Sequence, residues 1–264
     1  MALATAYDGL ASRWEAGPSH IYRPLARVLV EASPVSLSGR LVLDVGSGTG
    51  AIAEAAVACG ARVVAADRTF CMVAYQGTHC WPGVAADALA LPFPDRAFDA
   101  ALAGFLLNHL DPAQALTELA RIVRPGGTVL ASTWAVGKPD PVKSAIDSVI
   151  TSWGWVPPDW YIALKKEVEP ISGSPTRLAA AAIQAGLVAV SVSGRDEDLG
   201  VRQPGSVIAY RLGMPHIAPW VAKLDVSRRA QVTRQALAAA SPHIDGWRPA
   251  VIILTSRVGA YRIR

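Results

Sequence analysis

The 264-residue chain has few cysteines and no long apolar run. Its three cysteines, Cys59, Cys71 and Cys80, form no Cys-x-x-Cys pair, which argues against a disulfide framework or a structural zinc site. The longest apolar stretches, such as 100–107, fall far short of the roughly 18–20 residues that a membrane-spanning helix requires. The sequence therefore predicts neither a metal centre nor a membrane partner.

Charged residues are also scarce, at 17% of the chain against 52% hydrophobic residues, which excludes a mostly disordered protein. Only five of the 25 basic residues are lysines, so arginine supplies the net charge of +4. This balance could indicate an anionic partner, but we favour a bias of genome composition. The N-terminus lacks the basic and apolar segments of a secretory signal, so we expect a cytoplasmic protein.

Apolar runs of strand length alternate with helical segments in the first half of the chain. The runs lie at 40–45, 62–66, 82–86, 98–103 and 128–134. Helices are predicted over 49–59 and 111–123, the second with Asp111 as its N-cap and Pro112 in first position. This alternation predicts an α/β fold with a parallel sheet covered on both faces.

The composition changes after Trp134. Residues 135–173 are rich in proline and tryptophan and predict short helices and turns. A helix over 174–185, with Ser174 as its N-cap, and a strand over 187–193 follow. Residues 204–240 read as two or three helices. A last strand is predicted over 249–258.

The most informative segment runs from Val42 to Gly50, where a strand leads through a Gly-x-Gly-x-Gly turn into a helix. Glycines at such a turn let the backbone approach a ligand closely. A dinucleotide site would favour Gly-x-Gly-x-x-Gly. Asp44, just before the turn, suits an ammonium group or backbone N–H donors and does not suit a pyrophosphate.

Two further carboxylates follow neighbouring strands. Asp67 ends the second strand, where it can accept hydrogen bonds from both hydroxyls of a ribose. Asp87 ends the third strand, where it can accept from an exocyclic amine. These two positions add candidate ligand contacts to those of the glycine-rich turn.

These motifs resemble, in order and spacing, the class I S-adenosylmethionine-dependent methyltransferases. The nearest resemblance is to the small-molecule group related to ubiquinone and menaquinone methyltransferases, which the stretches 91–99 and 124–127 also resemble. The resemblance covers about residues 40–134 and, more weakly, 174–193 and 249–258. It implies a Rossmann-like, seven-stranded, mostly parallel sheet with helices on both faces, an antiparallel last strand and helical lid insertions.

The resemblance also implies how the chain is organised. We expect a single domain over residues 1–264, in which 1–35 form lid helices and 36–134 form the cofactor-binding core. The segments 135–173 and 200–245 are expected to cover the substrate.

The resemblance implies S-adenosylmethionine as the cofactor and assigns residues to its methionine end. Asp44 would hold that end together with the glycine-rich turn, whose residues are Gly46, Ser47, Gly48 and Gly50. Ala103 and Phe105 would lie near the sulfonium. Tyr7 and Trp14 belong to a segment similar to the family's lid helix, so they are expected to contact the cofactor.

The resemblance assigns five further residues to the adenosine end of the cofactor. Asp67 would bind the ribose diol, and Arg68 and Met72 would lie against the adenine face. Asp87 would accept from the adenine amino group, and the backbone N–H of Ala88 would reach a ring nitrogen.

Methyl transfer from a sulfonium is an in-line substitution, so the protein chiefly has to position the nucleophile and exclude water. A general base helps when the nucleophile starts protonated. His109, after the fourth strand, is the first candidate for this base, and His20 is the second. The later tryptophans indicate a small, largely apolar or aromatic acceptor of the secondary-metabolite or quinone kind; they are Trp153, Trp155, Trp160, Trp220 and Trp247.

Alternatives remain. Enzymes that methylate the amino groups of bases carry an Asn/Asp-Pro-Pro-Tyr/Phe motif after the fourth strand, whereas this chain has Gly104-Phe105-Leu106-Leu107-Asn108, so we expect no nucleic-acid partner. The three cysteines do not supply the paired set of arsenite-methylating relatives. A cofactor-binding protein that transfers no methyl, as a regulatory or scaffold subunit or as a catalyst of another rearrangement, is the second hypothesis. The sequence leaves the methylated atom and the oligomeric state open.

Overall fold

A computed structural model describes residues 3–76 and 80–260. The chain begins with a short 3-10 turn (Leu3–Thr5) and two helices, α1 (Ala11–Ala16) and α2 (Ser19–Glu31). The buried residues of α2 recur every three or four positions, as in a helix that packs one face on a core; among them are Ile21, Leu25 and Leu29.

The sheet follows these helices and contains seven strands. They are β1 (Leu41–Val45), β2 (Arg62–Asp67), β3 (Gly83–Ala85), β4 (Phe98–Gly104), β5 (Val123–Trp134), β6 (Leu187–Asp196) and β7 (Ala250–Val258). Their spatial order is β3-β2-β1-β4-β5-β7-β6. The first five strands run parallel, and β7 is antiparallel to both β5 and β6. This arrangement confirms the predicted fold.

Helices cover both faces of the sheet, because successive strand residues point to opposite sides. Val42 packs in a core layer with α2 and α3 (Ala51–Ala58), whereas Leu43 packs in the opposite layer. That opposite layer includes α5 (Pro112–Ile122) and α9 (Pro175–Gln184). A short helix, α4 (Phe70–Tyr75), follows β2.

The predicted caps of two helices are confirmed. The Asp111 carboxylate accepts hydrogen bonds from the backbone N–H groups of Ala113 and Gln114 at the start of α5. Ser174 accepts from the backbone N–H of Arg177 at the start of α9. In both helices proline occupies the first turn, where its missing N–H has no intrahelical partner to lose.

Six helices form the two insertions, three between β5 and α9 and three between β6 and β7. They are α6 (Pro141–Ser152), α7 (Asp159–Glu167), α8 (Glu169–Ser172), α10 (Pro204–Gly213), α11 (Ala218–Lys223) and α12 (Val226–Ile244). Helices α6 and α12 pack together, and a third core cluster joins them to α2, α10 and Phe105. The two insertions therefore converge beside the carboxyl end of β4.

The structure shifts some predicted boundaries. Helix α3 begins at Ala51, two residues later than predicted, because Gly50 adopts a left-handed φ of 94°. Strand β5 begins at Val123 instead of residue 128, since Val123 pairs with Phe98 before a register shift. Within residues 3–76 and 80–260, none of the helices has the length and apolarity needed to cross a bilayer.

Candidate active site

The glycine-rich turn lies at the carboxyl end of β1. Gly46, Gly48 and Gly50 all have positive φ angles, of 68°, 52° and 94°, a region that side-chain-bearing residues rarely occupy. A Cβ atom on Gly46 would lie 2.8 Å from Leu106 Cδ1. The backbone N–H groups of Gly46 and Ser47 both donate to the Ala66 carbonyl at 2.8 and 3.0 Å. The turn is thus held tightly against β2.

A glutamine that sequence reasoning missed also holds this turn. Gln76 Nε2 donates to the Gly48 carbonyl and, at 2.9 Å, to Ser47 Oγ. Trp81 Nε1 donates in turn to Gln76 Oε1 at 2.9 Å. Both residues lie in the connection between β2 and β3, where no sequence pattern signals a contact with a turn about 28 residues earlier.

Asp44 is fully buried and only half satisfied. Its Oδ2 accepts from the Ala53 backbone N–H at 3.0 Å, which ties β1 to α3. Its Oδ1 has no hydrogen-bond partner among the described residues. Burial raises the pKa of Asp44 to about 8. A carboxylate oxygen without a partner at this position suits an ammonium group.

Asp67, at the end of β2, links the glycine-rich turn to its own loop. Its Oδ2 accepts from Gly48 N–H and its Oδ1 from Thr69 N–H, each at 2.8 Å. Burial raises the pKa of Asp67, and these backbone hydrogen bonds act in the opposite direction. Because each carboxylate oxygen can accept more than one hydrogen bond, both oxygens keep capacity for a ligand hydroxyl.

Asp87 follows β3 and is exposed. Its Oδ1 accepts from the backbone N–H of Leu89 at 2.9 Å, so it stabilises its own loop. Its second oxygen has no hydrogen bond recorded within the described residues and is free for a ligand amine.

Aromatic side chains from the N-terminal segment close the site. Trp14 stacks on Tyr22, with ring centroids 5.0 Å apart, and lies 5.6 Å from Tyr7. Tyr22 in turn meets Phe105 edge-on at 5.1 Å. Rings in these offset and edge-to-face arrangements attract each other and exclude water.

Tyr7 and His109 form a hydrogen-bonded pair, with 3.0 Å between Tyr7 Oη and His109 Nε2. Burial raises the pKa of Tyr7 and lowers the pKa of His109 to about 4. At neutral pH both side chains are therefore uncharged. His109 Nδ1 is buried and has no partner in the part of the chain that the structure describes.

Two adjoining cavities meet at these residues. The first, of about 230 Å³, lies over the glycine-rich turn, and the second, of about 530 Å³, lies under the insertion helices. Four residues line both cavities and form their boundary: Tyr7, Tyr22, Phe105 and His109. The two cavities therefore adjoin across these four side chains.

The first cavity brings together twelve of the fourteen residues predicted for the cofactor. They are Tyr7, Trp14, Asp44, Gly46, Ser47, Gly48, Asp67, Arg68, Met72, Asp87, Ala88 and Phe105. Gly50 does not line it and instead approaches Trp81. Ala103 is fully buried within the sheet. His20 is exposed on α2 and lines neither cavity.

The predicted tryptophans divide into two groups. Trp160 and Trp247 line the second cavity. Trp153, Trp155 and Trp220 instead pack among the insertion helices. Sequence reasoning missed the polar residues of this cavity, because they come from a turn and helices far apart in the chain; they include Asn108, Lys143, Tyr210 and Arg211.

The sheet order, the antiparallel β7 and the glycine turn flanked by Asp44 and Asp67 define the class I S-adenosylmethionine-dependent methyltransferase fold. A family model described as a methyltransferase domain matches residues 43–131. The match confirms the resemblance predicted from the sequence over this part of the chain: residues 43–131 are similar to a methyltransferase domain.

Curated relatives include the demethylmenaquinone methyltransferases of Mycolicibacterium gilvum and Mycobacterium tuberculosis. Each is 35% identical over 136 residues, which cover 48% of this chain and 58% or 56% of the relative. The chain thus spans little more than half the length of these relatives.

Solved structures share the fold at low identity. Phosphoethanolamine N-methyltransferase 2 of Haemonchus contortus gives a TM-score of 0.57 at 14% identity, over 89% of this chain and 52% of that one. The cyclase SpnF gives 0.56 at 18% identity, over 90% of this chain and 82% of that one.

Proposed function

We propose that the protein binds S-adenosylmethionine in the first cavity and transfers its methyl group to a small acceptor in the second. The observation that carries this proposal is the junction of the two cavities at Tyr7, Tyr22, Phe105 and His109. The solved Haemonchus contortus enzyme, which shares the fold, contains S-adenosylmethionine.

The residues of the first cavity fit the parts of this cofactor. Asp44 Oδ1, which has no partner among the described residues, accepts from the ammonium group. Asp67 accepts from the ribose hydroxyls with the capacity left by Gly48 and Thr69.

The adenine ring would lie beside Arg68 and Met72, with its edge at Asp87 and the backbone N–H of Ala88. The remaining turn residues, Gly46 and Ser47, border the methionine end. Gly50 and Ala103 do not line the first cavity, and they would act by supporting the turn and the sheet.

When bound, the cofactor supplies a methyl group that its sulfonium already activates. Tyr7 and Trp14 would close over it and exclude water, which favours an in-line transfer to a positioned nucleophile. His109 would take the proton of an acceptor hydroxyl on Nδ1, while its Nε2–H donates to Tyr7 Oη. Its low pKa keeps the ring neutral and able to accept that proton at neutral pH.

We further propose that residues 1–35 act as the lid, 36–134 as the cofactor-binding core, and 135–173 and 200–245 as the acceptor cover of one domain. Helices α6, α7 and α10 all line the second cavity, which supports the last assignment. A small molecule with an aromatic body fits this cavity better than a nucleic acid. The demethylmenaquinone relatives favour a quinone-like acceptor, and we extend the proposal to secondary metabolites of similar size and to a cytoplasmic protein.

The cofactor site is tested by replacing Asp67 with alanine and titrating S-adenosylhomocysteine by calorimetry. Loss of charge-assisted hydrogen bonds to the ribose is expected to weaken binding by about 10- to 100-fold. Asp159→Ala, an exposed change on α7, serves as the matched control. Unchanged affinity in the Asp67 variant would show that the cofactor lies elsewhere.

The transfer itself is tested by offering labelled S-adenosylmethionine with a panel of phenols, quinols and amines. The second candidate function, binding without methyl transfer, draws on the shared fold with a cyclase. Methyl transfer to any acceptor excludes this alternative. Tight S-adenosylhomocysteine binding without transfer across the panel favours it.

A further inference from the structure

The second cavity contains more cations than anions. Its cationic lining residues are Lys138, Lys143, Lys165, Arg211 and Arg248, and its acidic ones are Asp140, Glu169 and Asp196. Charged groups taken from water are stable only when they are paired or hydrogen-bonded. The pairing of each cation therefore shows where a ligand charge would be needed.

Four of the five cations have carboxylate partners. The ion pairs are Lys138–Asp196, Lys165–Glu169, Arg211–Asp147 and Arg248–Asp198. Asp140 is engaged as the cap of α6, since it accepts from the backbone N–H of Lys143 at 2.9 Å and from Trp247 Nε1 at 3.2 Å. Within residues 3–76 and 80–260, no ion pair or hydrogen bond is found for the Lys143 ammonium.

The surroundings of Lys143 compensate its charge only in part. Burial lowers the pKa of Lys143 and the nearby cations Arg211 and Lys165 lower it further, whereas Tyr161 and Asp147 act in the opposite direction. His216 is neutral, because burial lowers its pKa well below the usual range. Arg211 has only donors, so its contact of 3.0 Å makes His216 Nε2 the acceptor and leaves the ring proton on Nδ1. His216 therefore has no free lone pair, because Nε2 accepts from Arg211 and Nδ1 carries the ring proton.

A second unpaired donor belongs to a residue that lines the same cavity. Trp160 Nε1 is buried without a hydrogen-bond partner among the described residues. Trp160 contacts His216 edge-on, with ring centroids 6.4 Å apart, and Tyr161 stacks on His216 at 3.8 Å. Lys143 also lines the second cavity, so its ammonium and the Trp160 N–H are two donors of one cavity lining.

We propose that Lys143 and Trp160 bind an anionic oxygen group of the acceptor, a carboxylate or a phosphate. This inference rests on the proposed function, in that the acceptor occupies the second cavity. A volume of about 530 Å³ is in the range of small-molecule sites and holds an aromatic body between this anion subsite and the boundary at His109. The acceptor class is thus an aromatic acid or aryl phosphate.

The test uses naphthalene-2-carboxylate, its neutral carboxamide, and naphthyl phosphate, each titrated by calorimetry into protein loaded with S-adenosylhomocysteine. We expect at least one anion to bind about tenfold more tightly than the carboxamide, as one charge-assisted hydrogen bond allows. The stronger of the two anions identifies carboxylate or phosphate as the matching group.

Lys143→Met keeps the length of the side chain and removes its charge, so it is expected to abolish this preference. Lys143→Arg should retain part of it, and Lys166→Met, an exposed change on α7, should leave it intact. The inference is overturned if no anion binds better than the carboxamide, or if Lys143→Met keeps the preference.

The same titrations separate this inference from the proposed function. All variants are expected to bind S-adenosylhomocysteine as the wild type does, because Lys143 does not line the first cavity. Failure of the wild type to bind S-adenosylhomocysteine would refute the proposed function. An anion preference lost in Lys143→Met would, even then, support the subsite.

Discussion

Replacing Asp44 with asparagine should separate binding from stability, because the two depend on different states of this carboxyl group. The substitution keeps the shape of the side chain and one oxygen for the Ala53 N–H, which Asp44 now accepts at 3.0 Å. It puts an NH₂ group, or a neutral oxygen, where the cofactor ammonium needs a carboxylate. Loss of that charge-assisted bond is expected to weaken S-adenosylhomocysteine binding by about 10- to 100-fold.

The stability of the ligand-free protein should change in the opposite direction. Burial raises the pKa of Asp44 from 3.8 to about 8, so the folded state holds a proton that the unfolded chain has released. The contribution of this protonated carboxyl to the free energy of unfolding is complete below the unfolded pKa of 3.8 and is lost as the pH rises through about 8. At about 1.4 kcal/mol per pKa unit, ionisation of Asp44 lowers the free energy of unfolding of the ligand-free protein by several kcal/mol. Asp44→Asn removes this loss.

Two assays check these expectations. Urea unfolding of the ligand-free protein should show a free energy of unfolding that falls with rising pH more steeply in the wild type than in Asp44→Asn. Calorimetry should show weaker S-adenosylhomocysteine binding by the variant but equal binding of 5′-methylthioadenosine, which has no amino acid part. Equal affinity of both proteins for S-adenosylhomocysteine would refute the role given to Asp44, and parallel stability curves would refute the raised pKa.

Two further predictions concern the base and the turn. His109→Gln is expected to lower kcat by about 10²- to 10⁴-fold with little change in S-adenosylhomocysteine affinity. In the wild type, kcat should fall only as the pH drops towards about 4. A kcat unchanged by the substitution would show that His109 is not the base. Gly46→Ala should lower the free energy of unfolding in urea more than Gly39→Ala does. Both glycines have φ near 70°, but only a Cβ on Gly46 would meet Leu106, at 2.8 Å. Equal losses of unfolding free energy would refute a tightly packed turn.

Much of the fold follows from local patterns in the sequence. Buried parallel strands leave apolar runs, and caps such as Asp111 and Ser174 mark helix starts by their own hydrogen bonds. The exceptions are boundaries set by tertiary contacts. The early start of β5 depends on pairing between Val123 and Phe98, which no local pattern encodes.

The first cavity was predictable because its candidate binding residues lie at or directly after the ends of strands, where the topology brings them together. Ala103 falls outside it because successive strand residues alternate in direction, so Ala103 faces away from the side on which Gly104 lines the cavity. Phe105, which also lines the cavity, follows the end of the strand. His20 was chosen by its closeness to the lid in sequence, but its position on α2 turns it to solvent.

The second cavity was predictable only in outline. Its tryptophans marked the insertion, but Lys143, Trp160 and Arg211 come from three separate helices with no shared spacing. That they line one cavity therefore became apparent only in the folded structure. The expectation of an aromatic-lined cavity stands, and the anion subsite adds the polar end that the apolar composition concealed.

The central claim is that the methyl donor and the acceptor meet at the boundary of the two cavities. A crystal structure with S-adenosylhomocysteine tests it most directly. The account predicts the ligand ammonium on Asp44 Oδ1, the ribose on Asp67, and the sulfur facing the second cavity between Phe105 and His109. A ligand bound outside the first cavity, or one whose sulfur is walled off from the second, would contradict it.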